Sequence, residues 1–107
     1  MITADQLLQE MVVRIRDALQ PERIILFGSR ARGQASPDSD FDLLVVKESE
    51  RPRYERSAEL YRLLADLPAE VEVVVYTPGE IREWSAVPGA FVTTAIREGR
   101  VLYERQV

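Results

Sequence analysis

Short, nearly all-apolar runs set between segments of helical periodicity are what most constrain the fold open to this chain. Arg23-Ile24-Ile25-Leu26-Phe27 and Phe41-Asp42-Leu43-Leu44-Val45-Val46 are such runs, and both are expected to be buried strands. Glu70 to Tyr76 alternates Glu-Val-Glu-Val before turning apolar and predicts a third strand, and Val101-Leu102-Tyr103 a short fourth. Helical spacing fills the gaps. Behind Thr3 as N-cap, apolar residues recur at Leu7, Leu8, Met11, Val12, Ile15, Ala18 and Leu19 until Pro21 stops the pattern. Tyr54, Ala58, Leu60, Tyr61, Leu63, Leu64 and Leu67 mark a second amphipathic helix, ended by Pro68. Thr77-Pro78 with Glu80 carries the start signals of a third, which Pro88-Gly89 interrupts. Ala90 to Glu98 is a last helix, with Gly99 expected as its left-handed C-terminal glycine. After Gly28-Ser29 breaks the first strand, Arg30 to Gly33 is expected to form one or two turns of helix, followed by a loop to Ser39. With no repeat and no linker, residues 1–107 are expected to form a single domain, α/β or α+β, with a sheet of about four strands flanked by helices.

Composition narrows the chemistry. The chain has no cysteine and no histidine, so catalysis would run on carboxylates, hydroxyls, lysine or arginine. The missing thiols fit a reducing cytoplasm. A net charge of −4 argues against direct binding of long nucleic acid, which requires basic excess to neutralise phosphates. A single nucleotide needs no such excess. No apolar stretch approaches the roughly 20 residues of a membrane span, and the acidic start MITADQLLQEM is not expected to be a signal peptide.

Three features carry candidate chemistry. Gly28-Ser29 follows a buried strand, where glycine permits a sharp turn and a close ligand approach and a helix start would favour a phosphate; a plain turn is the competing reading. Asp40 and Asp42, at i and i+2 about the start of a strand, are expected to leave one face while Phe41 points to the other. Two like charges so close are costly unless a cation such as Mg²⁺ lies between them, against the alternative of a solvated turn among Ser36, Asp38 and Ser39. Glu72, between Val71 and Val73, is either an outward residue of an edge strand, as Glu70 suggests, or a third carboxylate reaching the Asp40–Asp42 face if the two strands are neighbours. The aromatic residues Phe27, Phe41, Tyr61, Tyr76, Phe91 and Tyr103 are expected in the core. Trp84 and Tyr54 fall at less regular positions, where a partner interface is one possibility.

Leu26-Phe27-Gly28-Ser29-Arg30-Ala31-Arg32-Gly33, followed by Ser39-Asp40-Phe41-Asp42-Leu43-Leu44-Val45, resembles the nucleotidyltransferase superfamily that includes DNA polymerase β. Its signature is Gly-Ser after a hydrophobic residue, a spacer of about ten residues, and two acids separated by one apolar residue. The ending Glu98-Gly99-Arg100-Val101-Leu102-Tyr103 resembles its small prokaryotic members. The resemblance implies a polymerase β-like fold, Mg²⁺ bound by Asp40 and Asp42 with Glu72 as third ligand or base, and NTP phosphates cradled by Gly28 and Ser29. Arg30 and Arg32 would steady phosphates, or serve as a solvated face. One departure is that the third acid is more often aspartate. In length the chain is most similar to minimal nucleotidyltransferase (MNT) domains, which the resemblance pairs with a HEPN-domain RNase toxin. The implied function is an antitoxin that transfers AMP from ATP to a toxin tyrosine in a hetero-oligomer. A non-catalytic module that occludes its partner, and an enzyme acting on a small molecule such as an aminoglycoside, are the alternatives.

Overall fold

The computed structural model describes residues 2–106, so the expected domain range of 1–107 extends one residue outside it at each end. Its first element, α1 (Ala4–Leu19), starts where the sequence places it. The Thr3 hydroxyl accepts from the Gln6 N–H, and the Gln6 side chain accepts from the Thr3 N–H, closing a reciprocal cap. Gln20 turns into the left-handed region ahead of Pro21.

Four strands follow: β1 (Arg23–Phe27), β2 (Phe41–Val46), β3 (Val71–Tyr76) and β4 (Arg100–Glu104). They lie in the order β3-β2-β1-β4. β1 is antiparallel to β2 and β4, whereas β2 and β3 run parallel, so the sheet is mixed. Between β2 and β3 come α2 (Arg53–Arg56) and α3 (Ala58–Leu64); α4 (Pro78–Trp84) and α5 (Phe91–Glu98) lead to β4. Side chains alternate across a strand, so each face has its own core. Leu43, Val45, Ile24 and Val73 pack against α1 and α3. Ile25, Leu44 and Val46 pack against Ile81 of α4 and Val92 and Ala95 of α5. The fold is thus α/β, a four-stranded mixed sheet flanked by helices on both faces.

Four local expectations are corrected. The second helix breaks at Ser57: α2 buries no apolar side chain, so nothing apolar holds it in line with α3. It also stops at Leu64, with turns to Ala69, short of Leu67, where Pro68 disfavours helical geometry. Tyr61 is not core. It is 42% exposed and lies along the edge strand β3, where its hydroxyl accepts from the Val73 N–H at 3.0 Å and faces the Val73 carbonyl at 3.4 Å. That satisfies backbone groups an edge strand otherwise leaves open. Gly99 is extended rather than left-handed (φ −81°, ψ 170°).

The requirement for glycine at position 99 is spatial. A Cβ there would overlap the Ala95 carbonyl, and would stand 2.7 Å from Ile25 Cγ2 and 2.9 Å from the Leu26 carbonyl. Gly99→Ala is therefore expected to destabilise the domain by about 2–3 kcal/mol through overpacking, measured by chemical denaturation.

A part-buried ion pair ties the two halves of the sheet's covering together. Arg56 donates to Glu80 at 2.6 Å and to the Val75 carbonyl at 3.2 Å, with side chains only 9% and 27% exposed. Glu80 also closes the N-cap of α4 by accepting from the Thr77 N–H. The Arg56 guanidinium holds the Glu80 carboxyl below its ordinary range, with the Thr77 N–H adding to the effect. Its folded pKa is depressed, so this stabilisation is full above the ordinary value and disappears as pH falls through the folded one. Arg56→Ala is expected to cost about 2 kcal/mol near neutrality. The cost shrinks in acid, as thermal melts at descending pH would show.

Candidate active site

Strand register brings Asp42, one of the two expected aspartates, beside the third acid, and Asp40 lies two residues earlier, just ahead of β2. Asp42 is the direct partner of Glu72 across the parallel β2–β3 pair, and of Phe27 across the antiparallel β1–β2 pair. Asp42 has the parity of Leu44 and Val46, and Glu72 that of Val74 and Tyr76, so both belong to the face that α4 and α5 cover. That covering ends before the strands do. At the uncovered ends Asp42 is half-buried, whereas Asp40 and Glu72 are exposed.

Crowding shows in the electrostatics. Burial, followed by the negative charges of Glu72 and Asp40, pushes the Asp42 carboxyl above its ordinary range, and Arg32 opposes this weakly. Gly28, just past β1, makes the arrangement possible. It has φ +76°, and a Cβ on it would overlap Asp42 Oδ2. A side chain at position 28 and a carboxylate at 42 in this position exclude each other.

Among the described residues, no three acidic side chains close around a common point as the chain stands. The donor set nevertheless suits a hard divalent cation. It consists of carboxylates alone, and charge crowding of the kind at Asp42 is what a cation relieves.

The segment after Gly28 is not the expected helix. It is a hydrogen-bonded turn in which the Gly28 carbonyl accepts from the Ala31 and Arg32 N–H groups, and the Ser29 carbonyl from Gln34. Left-handed Gly28 and Gly33 (φ +73°) bracket it, leaving a segment too short to propagate a helix. A phosphate here would meet turn N–H groups rather than a helix dipole.

The two arginines part company. Arg30 donates twice to the Ser39 carbonyl, at 3.1 and 2.7 Å, and stacks 4.0 Å over the Phe41 ring. Phe41 belongs to the core on the α1 side, so Arg30 pins the 34–39 loop on the face opposite the carboxylates. Arg32 is exposed and makes a 3.3 Å contact to Gln34. It lines a cavity of about 180 Å³ with Gly28, Phe27, Phe91, Thr94 and Glu98. A larger open groove, about 1090 Å³, lies on the Arg30–Phe41 side and contains none of the three acids.

Phe91 corrects another expectation. It is 46% exposed rather than core, with its ring edge-on to Phe27 at 5.2 Å and stacked on Tyr76 at 6.3 Å. It overhangs the cavity from the first turn of α5, while Val92 and Ala95 carry the packing. The apolar spacing of residues 91–96 concealed this, because Phe91 and Val92 look alike in sequence.

Among solved structures, the fold is similar to a candidate nucleotidyltransferase from Sulfolobus solfataricus. That match has 23% identity over 94% of this chain and 79% of the other, with a TM-score of 0.67. It is also similar to a toxin–antitoxin structure with AMP-PNP, at 22% identity over 92% of this chain and 73% of the other, TM-score 0.58. A mutant of the MntA–HpeT toxin–antitoxin matches at 19% identity, with the same coverages and a TM-score of 0.56. At such identities the likeness concerns the fold. No curated protein matches the chain. The family described as Polymerase beta, Nucleotidyltransferase matches residues 10–107, nearly the whole chain and all three acids, and the protein therefore belongs to this nucleotidyltransferase family.

Proposed function

We propose that this protein is a Mg²⁺-dependent adenylyltransferase of the cytoplasm. It moves AMP from ATP onto a hydroxyl, a tyrosine, of a partner HEPN-domain RNase toxin, and so acts as that toxin's antitoxin. The observation that carries the chemistry is the strand register that sets Asp42 beside Glu72, with Asp40 two residues earlier and Gly28 clearing space for the Asp42 carboxylate. Support for the partner is the likeness to toxin–antitoxin structures, one of them containing AMP-PNP. The MntA–HpeT mutant replaces two aspartates by glutamate two positions apart, the spacing of Asp40 and Asp42.

Asp40 and Asp42 would hold Mg²⁺, with Glu72 as the third ligand. Bound there, the ion would offset the charge that develops on the α-phosphate and the departing pyrophosphate. Glu72, exposed at the end of an edge strand, takes the proton from the acceptor hydroxyl as its oxygen bonds to the α-phosphorus. The bond from that phosphorus to pyrophosphate breaks in the same displacement. Gly28 and Ser29 hold the terminal phosphates by backbone N–H groups, and Arg32 steadies them from the cavity rim. Arg30 acts as a positioning residue through Ser39.

A second reading, a non-catalytic module that neutralises its partner by occlusion, draws on the open spacing of the three acids. One assay separates the two. ATP labelled on its α-phosphate is mixed with Mg²⁺, this protein and the HEPN-domain partner. Label on the partner, lost with Asp40→Asn/Asp42→Asn, is the expected result. A stable complex that carries no label would leave only the occluding module.

A further inference from the structure

We propose that the cavity between α5 and the Phe27 end of β1 receives the nucleobase of the donor nucleotide, with Phe91 as its stacking face. The inference rests on the reading of Asp40, Asp42 and Glu72 as the transfer centre, and adds a binding site to it.

Four observations converge. The cavity joins the carboxylate face directly, since Gly28 lines it and Phe27 is the cross-strand partner of Asp42. Its volume of about 180 Å³ is below the roughly 300–1,000 Å³ of pockets that enclose a whole drug-sized ligand. It suits one ring system, with ribose and phosphates outside it toward the carboxylates. Its wall combines an apolar ring surface with polar groups on one helical face, because Phe91, Thr94 and Glu98 stand three and four residues apart on α5. The hydroxyl of Thr94 and the carboxylate of Glu98 can meet the edge of a base lying on Phe91. Glu98 is only loosely engaged, 3.6 Å from the exposed Arg97.

A single exposed apolar side chain needs no explanation by itself. Phe91 differs in where it stands. Its neighbours Val92 and Ala95 are 2% and 5% exposed, so α5 is anchored without it, yet Phe27 and Tyr76 brace its ring over an opening beside the phosphate turn. A braced, half-exposed ring is a surface on which a base stacks at little conformational cost. Arg32, which lines the same cavity beside Gly28, supplies the positive charge that the phosphate end requires.

The test compares ATP with inorganic tripolyphosphate, each titrated calorimetrically with Mg²⁺ into wild type, Phe91→Ala and Phe91→Leu. Stacking of one base is worth roughly a tenfold change in affinity. Wild type is expected to bind ATP at least about tenfold more tightly than tripolyphosphate. Both variants should lose that advantage and keep the tripolyphosphate affinity, which also shows that they are folded. Phe91→Leu preserves apolar packing, so a loss there isolates the ring. Unchanged ATP affinity in both variants overturns the proposal and leaves the carboxylate reading intact. A higher KM for the protein acceptor with unaltered ATP affinity also overturns it, assigning the ring to the acceptor. If wild type binds neither ligand, the carboxylate reading and the base site fall together.

Discussion

Asp42→Asn is expected to lower nucleotidyl transfer by at least about a thousandfold while leaving the metal-free domain as stable as before, or more so. The loss follows from removing the middle of three acids. Bound-metal charge stabilisation is worth several kcal/mol, and each 1.4 kcal/mol or so is a factor of ten in rate. The stability result follows from the raised pKa. Burial, then Glu72 and Asp40, penalises the ionised Asp42. Its folded pKa lies above the ordinary value, so its contribution to stability is full below that value and is lost as pH rises through the folded one. The amide carries no such penalty. Thermal melts without divalent cations should therefore show the variant gaining on wild type as pH rises from acid toward neutrality. Glu80 has the opposite sense, its pKa being depressed by Arg56, but both proteins contain it, so comparing wild type with Asp42→Asn isolates Asp42. A variant that melts well below wild type at neutral pH would mean that the ionised Asp42 is stabilised by neighbours rather than crowded by them.

Gly28→Ala is expected to be nearly as damaging to activity, and unlike Asp42→Asn it costs stability as well. A non-glycine residue at φ +76° costs about 1–2 kcal/mol. The added Cβ must also displace the Asp42 carboxylate, whose Oδ2 occupies that space. Misplacing a reacting group by about an ångström costs roughly a hundredfold in rate. Transfer is therefore expected to fall about a hundredfold or more, with a lower melting temperature. The double variant Gly28→Ala/Asp42→Asn should show much less than the product of the two rate losses, because both act on one carboxylate. Independent, multiplicative losses in steady-state rates would place the effect of Gly28 elsewhere, for instance on phosphate contacts in the turn.

Much of this architecture was legible because local signals agreed with one another. The Thr77-Pro78-Glu80 start became a capped helix in which Glu80 both accepts from the Thr77 N–H and pairs with Arg56. The first three apolar runs became strands within one residue of their expected bounds. Whether Glu72 reaches the aspartates depended on β2 and β3 being neighbours. Sequence could state that condition, but only the sheet order meets it. What stayed hidden was decided by tertiary context. Gly99 carries a C-terminal glycine signal, yet the close approach of β1, through Ile25 and Leu26, is what demands glycine. Tyr61 has the period of a core residue but serves an edge strand. Arg30 and Arg32 stand two apart in a basic motif, and only the turn geometry sends one to Ser39 and the other to the carboxylate side.

The most direct test is a titration of Mn²⁺, a spectroscopically visible stand-in for Mg²⁺, followed by electron paramagnetic resonance. Wild type, Asp42→Asn and Glu72→Gln would be compared in the presence of a non-hydrolysable ATP analogue. If Asp40, Asp42 and Glu72 hold the catalytic metal, wild type quenches the free Mn²⁺ signal beyond what the nucleotide alone removes. Asp42→Asn would abolish that excess, and Glu72→Gln would diminish it. Equal quenching by all three proteins, or none by wild type, would contradict the account.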